Sequence, residues 1–140
     1  MSNEENFHDL IRSNHLFENL IQQTLSPSVS DSGDFTEIVI TYQTNIKYDY
    51  DWWINIHEET YILETFGTEK LKMIEAKDIP LHPERFYLTR KHQTHTFTLI
   101  FPKVPDHWKG FDVHEFSPGE SDTLHIFGFK KKQGKYFANI

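Results

Sequence analysis

The sequence predicts an all-β protein, and three observations carry that prediction. In Thr94-His95-Thr96-Phe97-Thr98-Leu99-Ile100-Phe101-Pro102, the residues Phe97, Leu99 and Phe101 fall on one side of a period of two. Thr96, Thr98 and Ile100 fall on the other, and Pro102 has no N–H to continue a ladder. A second alternation runs from Phe35, with Ile38, Ile40 and Tyr42 opposed to Val39, Thr41 and Gln43. Finally, turn residues recur at short intervals and no βαβ rhythm or fixed-period repeat occurs. About eight short strands at this spacing are expected of an immunoglobulin-like antiparallel β-sandwich, here with an N-terminal helix in front of it.

Phe7, Leu10, Ile11, Phe17, Leu20 and Ile21 have helix-compatible spacing, interrupted at Asn14, and predict an amphipathic helix within residues 6–25. That helix either packs on its own domain or docks a partner. Ser26 to Asp34 has the composition of a loop, with Pro27 and Gly33 among serines whose hydroxyls bond their own backbone. After the strand from Phe35, Asn45 to Asp51 reads as a connection. Trp52, Ile54 and Ile56 alternate with Trp53, Asn55 and His57 as a second strand, and Tyr61-Ile62-Leu63 is a short third. Leu71 and Met73 follow a turn at Gly67, with Ile74 on the opposite face. Pro80 and Pro83 break regularity before Phe86-Tyr87-Leu88, and Phe111 to Phe116 and Leu124 to Phe129 supply the last strands. The chain divides into a helix and Ser-rich linker (1–34), a sandwich domain (35–129) and a basic tail (130–140).

At 140 residues the chain suits one domain with an appendage. Only 37% of residues are hydrophobic, yet 15% are aromatic, and each aromatic ring buries a large area, so a few residues do much of the packing. The net charge of −7 argues against nucleic acid or an anionic lipid surface as the main partner. Lys130, Lys131, Lys132 and Lys135 form a short basic end that favours either solvent or an acidic partner. With no cysteine, disulfides, thiolate zinc sites and cysteine nucleophiles are excluded. No basic n-region, apolar signal or membrane span follows Met1. The expectation is a cytoplasmic protein without membrane insertion, or one of the cell envelope if Met1 is not the natural start.

Nine histidines invite a metal reading. His92 and His95 point to opposite faces if both lie on a strand, whereas His57 and Glu59 share a face at a strand end but supply only two ligands. Neither pair closes a site, so no metal or other cofactor is expected. Glu58, Glu59, Glu64, Asp112 and Glu115 offer carboxylates for a small hydrolase, but no spacing forces two of them to face each other. No nucleophile elbow, phosphate loop or dinucleotide fingerprint occurs. No catalytic residue is assigned. The aromatic run Tyr48, Tyr50, Trp52, Trp53 is the local cluster with a binding reading. Adjacent strand residues point oppositely, so Trp53, with Tyr48 and Tyr50, is the candidate surface for a partner or a glycan. Alternatively Trp52 fills the core and Trp53 packs under the N-terminal helix.

The segments Trp52 to Ile56, Tyr61-Ile62, Lys70 to Leu81, Phe97 to Pro105, Phe111 to Glu115 and Ile126 to Phe129 together resemble a β-sandwich domain of uncharacterised Bacteroidetes proteins. The matching features are a tryptophan and tyrosine-leucine strand pair, an A-x-x-I-x-L segment, an F-x-L-x-F strand ending in proline, and a terminal I-x-G-x. The resemblance spans roughly residues 38–129. Asp78 stands where that pattern usually has glycine, which is tolerable if the position is left-handed. The resemblance implies an accessory or interaction domain with no established chemistry, often in envelope proteins. The expected function is therefore a non-catalytic protein-interaction module whose partner is a protein, with a carbohydrate-binding module using exposed aromatics as the alternative.

Overall fold

The computed structural model describes residues 25–43, 52–88, 93–115 and 124–138. Among them there is no helix, and eleven strands form three antiparallel sheets. The expected helix within residues 6–25 lies outside the described residues except at Leu25, which begins a strand instead, and Tyr48 and Tyr50 lie outside them as well. No described helix is long and apolar enough to cross a membrane.

One sheet has the order β1-β2-β8-β6, built from Leu25–Ser32, Phe35–Gln43, Thr94–Pro102 and Glu75–Lys77. Its centre is the pairing of the two most regular alternations in the sequence. Ile38 lies opposite Leu99, Ile40 opposite Phe97, and Thr36 opposite Phe101. All six side chains are buried, so the register sets three cross-strand pairs on the core face. The second sheet has the order β11-β10-β9-β4-β5, from Lys135–Ala138, Leu124–Lys132, Gly110–Glu115, Tyr61–Glu64 and Lys70–Lys72. It contributes Ile62, Phe111, Val113 and Phe129 to the same core, which also holds the indole of Trp108. A two-stranded ribbon, β3 (Trp52–Ile54) with β7 (Phe86–Leu88), completes the sandwich-like fold.

The two large sheets are joined through adjacent residues. The Met73 N–H donates to the carbonyl of Thr60 (2.8 Å), while the Ile74 N–H donates to the carbonyl of Ile100 (2.7 Å). Thr60 immediately precedes β4 and Ile100 is on β8, so the chain passes from one sheet to the other within a single peptide unit. Met73 is accordingly buried and Ile74 exposed. On the opposite side of the molecule β1 and β11 lie against each other. Asp78 has φ of 64°, a left-handed conformation that Asp takes more readily than most residues.

Two segments differ from expectation. Ser26 to Ser32 is not a loop: β1 pairs with β2 along its whole length, from Leu25 opposite Tyr42 to Ser32 opposite Phe35. An edge strand satisfies backbone groups on one side only, so it needs neither a continuous apolar face nor an N–H at Pro27. Residues 130–138 are likewise not a tail. Lys130 to Lys132 complete β10, Gln133 and Gly134 both take positive φ (51° and 79°), and β11 returns antiparallel. Two central residues with positive φ are what a tight two-residue hairpin turn demands. Tyr136 anchors the return, its ring edge-on to Phe111 (5.1 Å) and its hydroxyl donating to the Trp108 carbonyl (2.9 Å).

Candidate functional site

A cleft of about 590 Å³ opens where the β4–β5 turn meets the segment leading into β9. Its walls include Glu64, Phe66, His107, Lys109, Asp112 and Lys130. The turn is built by local backbone bonds: the Gly67 N–H donates to Glu64 O (2.9 Å) and the Glu64 N–H to Glu69 O (3.1 Å). A third bond, from the Thr65 N–H to Gly110 O (3.1 Å), ties the turn to the start of β9. Phe66 occupies the turn with φ of 62°, and its side chain is fully exposed. A left-handed conformation is rarely taken by an aromatic residue, and here no packing compensates for it. A Cβ at Gly67 would meet the carboxylate of Glu64 and push that flexible side chain aside.

The register of this hairpin has an electrostatic consequence. Tyr61 faces Lys72, Ile62 faces Leu71 and Leu63 faces Lys70, so the next opposed pair is Glu64 with Glu69. Like charges directly across a hairpin repel. Among the described residues neither carboxylate is ion-paired to a lysine or arginine. The turn preceding β9, closed by the Trp108 N–H on Pro105 O (3.1 Å), presents His107 to the same place. The carboxylates of Glu64 and Glu69 and the imidazole of His107 offer three ligand atoms that all lie within 4.8 Å of one another. The indole N–H of buried Trp108 donates to Oε1 of Glu69 (3.4 Å) and so steers that carboxylate.

The residues singled out from the sequence are placed differently. Trp53 does not present a surface: it is only 2% exposed, and the guanidinium of Arg85 lies 4.2 Å from its ring centre. It is therefore unsuited to stacking on a glycan. Tyr48 and Tyr50 lie outside the described residues. His57 and Glu59 do not converge as ligands, because His57 Nδ1 accepts the backbone N–H of Glu59 (3.0 Å) while the Glu59 carboxylate pairs with Lys72 (2.6 Å). The Lys72 ammonium, by hydrogen bond and then by charge, holds the Glu59 carboxyl below its usual pKa. His92 lies outside the described residues, whereas His95 stacks on Phe86 (4.0 Å) and bonds the Asp78 carbonyl. Of the five acids considered for hydrolysis, Glu64 and Asp112 both line the cleft, while Glu115 is buried and accepts the His57 N–H (3.0 Å). Glu69 and His107 were not singled out by sequence reasoning. The signal for the first was available, since two glutamates flanking a Thr-Phe-Gly-Thr turn become neighbours in any hairpin closed there.

Comparison of the chain with family models, with curated proteins and with solved structures returns no match.

Proposed function

We propose that the chain is a non-catalytic interaction module, an accessory domain of the immunoglobulin-like sandwich kind, and that it engages a protein partner at the β4–β5 turn with Phe66 as the anchor. The observation that carries this reading is the exposure of Phe66 on left-handed backbone. For an L-residue that conformation costs about 1–2 kcal/mol, and an exposed ring recovers none of it by packing. Such strain at a protruding turn points to a role outside folding. The surroundings suit a protein interface: one large aromatic side chain rimmed by Glu69, Lys109 and Lys130, with a cleft beside it. The resemblance to Bacteroidetes sandwich domains agrees with an accessory role.

Two photo-crosslinking positions test the proposal in the native host: benzoylphenylalanine at position 66, and at position 137 on exposed β11. A discrete protein adduct from position 66 and none from 137 is expected, with Phe66→Ala abolishing co-purification of the same protein while the circular dichroism spectrum is unchanged. No adduct at 66, or co-purification that survives Phe66→Ala, overturns the proposal.

A further inference from the structure

The donor set at the turn points to a divalent-cation site, and we infer that Glu64, Glu69 and His107 bind one first-row transition ion, with Zn²⁺ the ion best suited to them. Two carboxylates and an imidazole are a mixed oxygen and nitrogen set, which favours Zn²⁺ and its first-row neighbours over Ca²⁺, an ion that takes six to eight oxygens. Three protein ligands leave a coordination position open, and the adjoining 590 Å³ cleft gives room for a water or an anionic group there. Lys109 and Lys130 line the same cleft, so an anion completing the coordination sphere meets cations as it enters.

Independent features support the site beyond the proximity of the three groups. The hairpin register sets Glu64 against Glu69, and among the described residues neither carboxylate is ion-paired to a lysine or arginine, in a protein that already carries a net charge of −7. A bound divalent cation reverses that repulsion. The Glu64 carboxylate also folds over Gly67, where any side chain would displace it from its place beside His107. Finally, Trp108, fully buried, orients Glu69 from behind through its indole N–H, the arrangement by which an outer hydrogen bond fixes a ligating carboxylate. Ligand atoms about 2.0–2.1 Å from a tetrahedral Zn²⁺ lie roughly 3.3 Å apart, so the three side chains close inward on binding. Exposed Glu69 and His107 are free of the packing that would resist this.

The cation site is separate from the interaction reading, because its test needs no partner. Isothermal titration of the full chain with ZnCl₂ should show one saturable site. His107→Ala and Glu64→Gln should each weaken it about tenfold or more, while His82→Ala, an exposed histidine that does not line the cleft, should leave it unchanged. With Co²⁺ as probe, the visible absorption band of the loaded protein should shift on loss of the imidazole. Circular dichroism verifies folding, and Glu69→Gln replaces either variant that does not fold. No saturable Zn²⁺ binding, binding of Ca²⁺ in preference to Zn²⁺, or an affinity indifferent to both ligand substitutions would overturn the site.

Discussion

Leu99 lies directly opposite Ile38 at the middle of the β2–β8 pairing, and both side chains are essentially inaccessible to water. Truncation of either opens a void bounded by two sheets, which close-packed neighbours cannot fill. Leu99→Ala should therefore cost about 2–5 kcal/mol in denaturant unfolding. A loss below about 1 kcal/mol would show that the residue is not packed in this register.

Tyr42 titrates abnormally, because burial raises its hydroxyl well above the ordinary tyrosine pKa of 10.0. The folded protein retains this proton where the unfolded chain loses it. The stabilisation is thus fully present below the unfolded pKa and is lost as pH climbs from there toward the folded value. Stability should fall by about 1.4 kcal/mol per pH unit above pH 10 from this group alone. Tyr42→Phe should flatten the alkaline limb of the thermal midpoint against pH, and an unaltered slope would count against a buried neutral hydroxyl.

Phe66 gives a prediction of opposite sign. Replacement by glycine relieves the left-handed backbone without removing any packed surface, so Phe66→Gly should stabilise the fold by about 1 kcal/mol. A substitution that raises the thermal midpoint while removing partner binding would separate the residue's role in recognition from any role in folding. A destabilised Phe66→Gly variant would mean that the ring packs in solution.

Tyr136 tests the place of the C-terminal hairpin. Its hydroxyl donates to the Trp108 carbonyl, so Tyr136→Phe should cost about 0.5–1.5 kcal/mol. Tyr136→Ala, which also strips the ring from Phe111, should cost distinctly more. Two silent substitutions would be the behaviour of a solvated tail.

The central strands were legible because β2 and β8 carry large apolar side chains at period two, Ile38, Ile40 and Tyr42 on the one and Phe97, Leu99 and Phe101 on the other, although Ile100 is also buried on the other face of β8. The edges were not. β1 offers only Leu25, Pro27 and Val29 among serines and an aspartate, and β11 carries a lysine, half-buried Tyr136 and exposed Phe137. What holds them is backbone pairing to a neighbour, which composition does not encode, with one side chain from each, Val29 and Tyr136, packed against the core. Trp53 was misleading for a related reason: alternation separates the faces of a strand, but both faces are covered here, one by the core and the other by Arg85. The cleft was half legible. Glu64 and Glu69 are brought together by a local turn, whereas His107 arrives from a distant loop whose position is set by the burial of Trp108 beside it.

The passage of the chain between sheets at Met73 and Ile74 gives the molecule a spine. Along that side the two halves are linked through consecutive amide bonds to Thr60 and Ile100, and they cannot part there without breaking one of them. Along the β1–β11 side they are merely adjacent. Thermal breathing should then open the molecule as covers open on a binding, with amide exchange slowest at residues 73 and 74 and fastest along the fore-edge. The β4–β5 turn leads out of β4 and back into β5, the strand next to the spine, so the surface it carries is held steady while the far margin moves.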